Sequence, residues 1–114
     1  MSRALPAGHP VPFHVTSIVS TLGAPQVTER TLEHVQALVE QVFVVSDAEA
    51  VEGVLTIAEE AKCWVEPAAG CLIPAARQVI ERVGPESVIG LVLCGGNTTF
   101  GDMTKWVERF GIQV

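Results

Sequence analysis

The chain has 114 residues, a length typical of one domain built around a single core. Its 13 acidic and 7 basic residues give a formal net charge of −6 without a basic cluster, which argues against binding to nucleic acid or to an anionic membrane. The apolar runs are too short to span a bilayer and the N-terminus lacks the apolar region of a signal peptide, so we expect a cytoplasmic protein. Hydrophobic residues make up 48% of the chain, which predicts apolar surface for a partner, either a second copy or a further domain.

The first third of the sequence combines an irregular arm with two predicted helices. Residues 1–15 contain three prolines and a glycine, which break periodic structure, and we interpret them as an irregular N-terminal arm. Residues 16–114 are predicted to form a single α/β domain. Within it, Thr16–Leu22 is predicted as a short helix, and Thr28–Leu38 as a second helix with apolar residues on one face.

The next segment carries a strand signal followed by a helix start. Val42–Val45 is a β-branched and aromatic run, which predicts a buried strand. Ser46 and Glu49 fit a capping box, in which each side chain satisfies a free backbone amide at the start of a helix. The apolar residues after them recur at helical spacing and predict a helix that ends near Lys62.

A further helix is predicted to begin at Glu66-Pro67 and to stop at Gly84-Pro85. Proline suits the first helical position because its missing N–H has no partner there. Pro74 lies inside this stretch, so it either kinks the helix or marks a later start.

The C-terminal part is predicted as a strand, a turn and a helix. Val88–Cys94 is apolar at every position, which is typical of a strand buried on both faces of a parallel sheet. A turn over residues 95–97 leads into a helix from about Thr99 to Phe110. The resulting order, helix-helix-strand-helix-helix-strand-helix, predicts an α/β fold with a partial parallel sheet and a right-handed crossover. Two strands are too few for a stable sheet, so we expect a piece of something larger or a chain that completes itself by assembly.

Three stretches, in this order, resemble the C-terminal part of a serine/threonine dehydratase of the fold type II pyridoxal-phosphate enzymes. They cover nearly the whole chain from about Val15 onwards, and the set is more specific than any one motif. The stretches are Thr16–Ala24, the region from Val45-Ser46-Asp47 to Val65–Gly70, and Leu91–Asn97.

The resemblance implies one side of a cofactor site and a fold that matches the C-terminal piece of the dehydratase large domain. In such enzymes the residue in the place of Cys94 faces the pyridine nitrogen of pyridoxal phosphate, and a thiol does not force that nitrogen to be protonated as a carboxylate would. Gly95 and Gly96 let the backbone pass close to the cofactor, and Asn97 completes the motif. Glu66 matches the glutamate that lies near the same edge of the ring.

The sequence departs from the family in the parts that carry the chemistry. The family binds its cofactor through a lysine early in the chain and holds the phosphate in a glycine-rich loop, whereas the lysines here are Lys62 and Lys105 and no run of four glycines occurs. We therefore predict no catalytic residue and no bound cofactor for the chain alone, with pyridoxal phosphate implied by the resemblance only. The three cysteines lack zinc-ligand spacing, which predicts free thiols and no metal site.

Each cofactor-site residue also has a structural interpretation. Cys94 could be a small thiol packed at the end of a buried strand. Glu66 could complement the dipole of the helix that follows it. The glycines of the turn could serve backbone geometry alone. Trp64 and Trp106 are interpreted as residues of contact surfaces.

Three functions follow from these observations. The first is a non-catalytic oligomeric or interaction module, expected to form a homo-oligomer through apolar surface. The alternative is a complementing fragment of a pyridoxal-phosphate-dependent dehydratase, a lyase active only with the missing lysine-bearing part. The third is a small-ligand site at the Cys94–Asn97 turn.

Overall fold

The computed structural model describes residues 1–113 and divides the chain into two compact units, Met1–Val44 and Val45–Val114. Six helices form among the described residues. The sequence predicts an arm over residues 1–15 and one domain over residues 16–114. That division stays a prediction.

The first unit contains a one-turn helix, α1 (Ala4–Ala7), which contacts the longer helix α2 (Glu29–Leu38). The helix α1 lies within the segment predicted to be an irregular arm. Thr28 caps α2, because its side-chain oxygen accepts a hydrogen bond from the Thr31 amide at 3.1 Å. The predicted helix α2 is therefore confirmed.

The helix predicted over Thr16–Leu22 is wrong, because short turns replace it. The Ser17 hydroxyl accepts a hydrogen bond from the Val19 amide at 3.0 Å. The Leu22 amide donates to the Val19 carbonyl at 3.2 Å, which closes a four-residue turn. A serine that bonds its own backbone competes with helix formation, and the β-branched residues of this segment favour helix weakly.

The second unit is organised around α3 (Asp47–Ala61), and the other helices of the unit pack against it. The predicted capping box is present, with the Glu49 amide donating to the Ser46 hydroxyl at 3.2 Å and the Ser46 amide donating to the Glu49 carboxylate at 2.7 Å. The core of this unit is centred on α3. The hydrophobic residues buried in it, prolines and glycines aside, are Ala50, Val51, Val54, Ile57, Val65, Ala69 and Met103.

The helix predicted from Glu66 to Gly84 is two helices, α4 (Pro67–Gly70) and α5 (Leu72–Val83), which meet at Cys71. Pro74 lies in the first turn of α5, where a missing N–H costs no helical hydrogen bond. Of the two alternatives left by the sequence, the later start is therefore the correct one. Apart from Pro74, no residue of α5 is buried, and Ile80 and Val83 are exposed.

The last helix, α6 (Phe100–Phe110), agrees with its prediction. The Thr99 hydroxyl caps it by accepting from the Asp102 amide at 3.1 Å, and Gly111 ends it at a φ of 64°. Met103 is buried, whereas Phe100 is 77% exposed.

The predicted α/β fold with a partial parallel sheet is wrong, because residues 1–113 contain no strand. Neither Val42–Val45 nor Val88–Cys94 forms a backbone hydrogen bond with another described residue. A strand requires a neighbouring strand that accepts and donates its backbone hydrogen bonds, and the described part of the chain supplies none. Val88 is fully exposed and Val92 is 80% exposed, so the apolar segment expected to be buried on both faces is uncovered.

Candidate functional site

The position of α4 is fixed by a close approach between two backbones. A Cβ placed on Gly53 of α3 would lie 2.0 Å from the Gly70 carbonyl oxygen, and one placed on Gly70 would lie 2.1 Å from the Ala50 carbonyl oxygen. Only glycine fits at both positions, which lets α4 lie directly on α3. Glu66, the residue before α4, is therefore held at a defined place on the surface of this unit.

Glu66 contacts the turn that follows the apolar segment Val88–Cys94. Its amide donates a hydrogen bond to the Gly95 carbonyl oxygen at 3.2 Å. A Cβ on Gly95 would lie 2.2 Å from Glu66 Oε1, and Gly95 has a φ of 84°, which L-residues with side chains rarely adopt. The backbone conformation thus favours glycine at this position, and the Glu66 carboxylate lies close against it.

Trp64, two residues earlier, contacts the other end of the same turn. Its backbone carbonyl oxygen would lie 3.5 Å from a Cβ on Gly96, and its indole N–H donates a long hydrogen bond of 3.5 Å to the Thr98 carbonyl oxygen. Its ring stacks on Phe100, with ring centroids 4.4 Å apart and an interplanar angle of 27°. This contact explains why Phe100 lies at the surface instead of in the core.

The structure brings together Glu66, Gly95 and Gly96 of the residues implicated by the resemblance. Cys94 and Asn97 flank these glycines in the turn, and both are exposed. The packed thiol considered for Cys94 is therefore wrong, because the apolar segment that would bury it is uncovered. The Glu66 side chain makes no capping hydrogen bond to α4. The assignment of these five residues to a cofactor site stays a prediction.

The turn presents an exposed thiol beside two glycines, and the lysine amines contact groups near them in sequence. An exposed thiol beside two glycines leaves backbone and sulfur accessible to a flat ring. Lys62 ends α3 at a φ of 56°, and its amine donates to the Glu59 carbonyl oxygen. The Lys105 amine lies 3.9 Å from Asp102 on its own helix. Within residues 1–113, the polar contacts of both amines are thus local to their own helices.

Two titratable groups near α3 have altered proton affinities, and neither belongs to the turn. Hydrogen bonds from the Ser46 amide and hydroxyl hold the pKa of Glu49 below its ordinary value of 4.5. Burial, aided by the negative charge of Asp47, raises the pKa of the Cys71 thiol. The described residues contain no cluster of side chains able to hold a metal ion and no helix long and apolar enough to cross a membrane.

Sequence reasoning missed the aromatic pair and one buried hydroxyl of this region. Trp64 and Phe100 are distant in sequence, so no periodic pattern could have paired them. The Thr98 hydroxyl is buried and has no hydrogen-bond partner within residues 1–113. Gly53, by contrast, carried a signal, because a glycine inside an apolar helical pattern often marks a close backbone approach.

Comparisons with known proteins agree with the resemblance stated from the sequence. The family described as pyridoxal-phosphate dependent enzyme matches residues 1–95. The serine dehydratase-like proteins of Mus musculus and Homo sapiens are 34% and 35% identical over 105 and 91 residues, which are 84% and 73% of this chain. These matches are 32% and 28% of the two relatives, so the chain spans about a third of their length.

A solved structure gives the same result for the fold. The fungal L-serine ammonia-lyase from Rhizomucor miehei matches 96% of this chain and 37% of its own, with a TM-score of 0.75 and 26% sequence identity. The resemblance to the C-terminal part of a fold type II serine dehydratase is therefore confirmed. The chain belongs to the family of pyridoxal-phosphate dependent enzymes.

Proposed function

We propose that the Cys94–Asn97 turn and Glu66 form one side of the pyridoxal-phosphate pocket of a serine dehydratase-like lyase. In this proposal the 114 residues do not catalyse β-elimination alone, and they act by binding a lysine-bearing part of the same fold. The proposal rests on one observation, the packing of Glu66 against Gly95, which holds the turn at a fixed place with Cys94 exposed beside it.

The residues of the turn have distinct roles in this pocket. Pyridoxal phosphate, when bound, supplies the electron sink that labilises the substrate for loss of its β-substituent. Cys94 would contact the ring nitrogen, and a thiol, unlike a carboxylate, would not force that nitrogen to be protonated. Gly95 and Gly96 would let the backbone pass close to the cofactor, and at Gly95 the left-handed φ of 84° also favours glycine. Glu66 holds the turn through its amide and fills the space behind Gly95.

The remaining chemistry must come from other residues. A dehydratase of this family requires a lysine that forms a covalent bond with the cofactor, and the Lys62 and Lys105 amines contact groups on their own helices. Cradling the phosphate requires several convergent backbone amides, and the sequence has no glycine-rich run to supply them. The relatives are about three times longer than this chain, which leaves ample sequence for both features.

The test is complementation with the lysine-bearing part of the mouse serine dehydratase-like protein. We expect the chain alone to form no pyruvate from L-serine, and the mixture to form it. Cys94→Ala should lower this activity, whereas Cys63→Ala, which removes another exposed thiol, should leave it unchanged. Pyruvate formation by the chain alone, or failure of the two parts to associate, would contradict the proposal.

A second candidate function is a homo-oligomeric module without catalysis. It is favoured by the exposure of Val88 and Val92 in a segment whose backbone makes no hydrogen bond within residues 1–113. A second copy could supply those hydrogen bonds and cover the apolar side chains in a symmetric contact. Sedimentation equilibrium would decide, because a monomer that persists at high concentration excludes this function. Val92→Lys should weaken any assembly that uses the segment.

A further inference from the structure

We propose that Trp64 is a positioning residue for the Cys94–Asn97 turn, a role that rests on the proposed cofactor-facing function of that turn. Trp64 lies within the second stretch that carries the family resemblance, but the resemblance assigns it no role. It acts through the turn and has no assigned contact with substrate or cofactor. Its role follows from the contacts that it makes on either side of the turn.

The turn has few attachments of its own. Gly95 and Gly96 are exposed, and the amide of Thr98, the residue after the turn, donates a hydrogen bond of 2.8 Å to the Gly96 carbonyl oxygen. Within residues 1–113, the one backbone hydrogen bond that residues 94–97 make to a segment distant in sequence comes from the Glu66 amide to Gly95. Without further contacts, a glycine-containing turn at the surface would sample several conformations.

Trp64 makes three such contacts. Its backbone lies against Gly96, its indole N–H reaches the Thr98 carbonyl oxygen, and its ring stacks on Phe100. The indole hydrogen bond is long at 3.5 Å, so the stacked rings carry most of the stabilisation.

The stack ties the turn to two fixed elements. Phe100 is the first residue of α6, which is held to α3 by the buried Met103. On the other side, Trp64 lies between α3 and α4, next to the buried Val65. The stacked pair therefore links Trp64, which precedes Glu66 in the chain, to Phe100, which follows the turn. The turn that contains Cys94 is therefore fixed at its C-terminal end.

The experiment measures amide hydrogen exchange by NMR on the 114-residue chain without cofactor. The Glu66 amide reports opening of its bond to Gly95, and the Val54 amide, within the buried part of α3, reports opening of the whole unit. Losing a stacked aromatic pair should raise the opening equilibrium by roughly 3- to 10-fold. Trp64→Leu should therefore lower protection of the Glu66 amide by that factor, with a smaller change at Val54.

Three variants make the result specific. Trp64→Phe keeps a stacked ring and should retain most of the Glu66 protection. Phe100→Leu removes the other ring, and because Phe100 is 77% exposed, this variant should fold and reproduce the effect even if Trp64→Leu does not fold. Trp106→Leu removes the other tryptophan, on α6, and should leave Glu66 protection unchanged relative to Val54.

Two outcomes would overturn the positioning role. In one, Trp64→Leu and Phe100→Leu lower protection at Glu66 and Val54 by the same factor, which indicates general destabilisation. In the other, Glu66 protection does not change. Because the measurement uses no cofactor, it is independent of complementation. A positive exchange result with an inactive complex would leave the positioning role intact and refute the proposed function. An active complex in which Glu66 exchange is unchanged would support the proposed function and refute the positioning role.

Discussion

Replacing Gly53 by alanine should force α3 and α4 apart. The new Cβ would lie 2.0 Å from the Gly70 carbonyl oxygen, more than 1 Å inside ordinary contact, which begins at 3.4 Å. The obstructing atom belongs to the backbone of α4, so no side-chain rotation can relieve the overlap. The Cβ would also lie 2.8 Å from the Gly70 carbonyl carbon, so the clash can be relieved only if α4 as a whole moves away from α3.

The expected cost is the difference between two effects of opposite sign. Overpacking a well-packed contact costs about 1–3 kcal/mol, and a clash with backbone belongs at the upper end of that range. Alanine in place of glycine inside a helix contributes about 0.5–1 kcal/mol in the other direction. The net loss in the free energy of unfolding is therefore about 2 kcal/mol, which lowers the urea midpoint by roughly 1 M for a small protein.

Urea unfolding followed by tryptophan fluorescence is the appropriate assay, because Trp64 and Trp106 both lie in the unit that contains Gly53. Gly101→Ala is the matched control: its Cβ would lie 3.8 Å from Thr99 Oγ1, an ordinary contact distance, so it should be neutral or stabilise by up to about 1 kcal/mol. Gly70→Ala should cost as much as Gly53→Ala. A Gly53→Ala variant within about 0.5 kcal/mol of the wild type would refute the close backbone approach.

Three further changes test other features of the second unit. Because the folded state holds the pKa of Glu49 below 4.5, its contribution is present above that pH and is lost as the pH falls through the lowered pKa; stability measured from pH 7 to pH 3 should fall more for the wild type than for Glu49→Gln. Lys62→Gly should raise the free energy of unfolding by up to about 1 kcal/mol, because Lys62 ends α3 in the left-handed region, where glycine has no steric penalty. Thr98→Val should be neutral or stabilise by about 1 kcal/mol in urea unfolding, since it replaces a buried hydroxyl that lacks a partner among the described residues.

Each of these expectations has a contradicting result. Parallel pH profiles for the wild type and Glu49→Gln would mean that the capping box contributes nothing through the carboxylate charge. A loss of stability in Lys62→Gly would show that the lysine side chain contributes more than its backbone strain costs. A loss of more than about 1 kcal/mol in Thr98→Val would indicate that the hydroxyl is hydrogen-bonded after all.

The helices that the sequence predicted correctly are those that local interactions decide. The starts of α2, α3 and α6 are set by a serine or threonine whose side chain bonds an amide three residues later, and this pattern is visible in the sequence. The left-handed glycine at residue 111 likewise ends α6 where expected.

The two predicted strands failed because their formation depends on distant residues. An apolar, β-branched run indicates a preference for extended structure, but a strand also needs a neighbour to bond, and that neighbour is not encoded in the run itself. The same dependence explains Cys94: a residue at the end of Val88–Cys94 is buried only if a sheet forms around the segment. The helix predicted over Thr16–Leu22 failed for a local reason instead, because the Ser17 hydroxyl accepts a hydrogen bond from the nearby Val19 amide.

The resemblance named Glu66 and Gly95, and the structure places them in contact, whereas their role in a cofactor site stays a prediction. The other contacts that hold the turn were not predictable from the sequence. The stacking of Trp64 on Phe100 depends on how α4 and α6 both pack against α3, which no local pattern encodes.

The uncovered segment Val88–Cys94 also bears on how the chain behaves in solution. It is a seven-residue stretch without charge or proline, rich in aliphatic side chains, and such stretches stack readily into intermolecular β-structure when exposed. The net charge of −6 opposes this by keeping copies apart at neutral pH. That repulsion vanishes near the isoelectric point of about 4.9 and is screened by salt, so acidification and high ionic strength should both promote precipitation. The solubility of this chain is therefore set by its surface charge and not by burial of its most apolar segment.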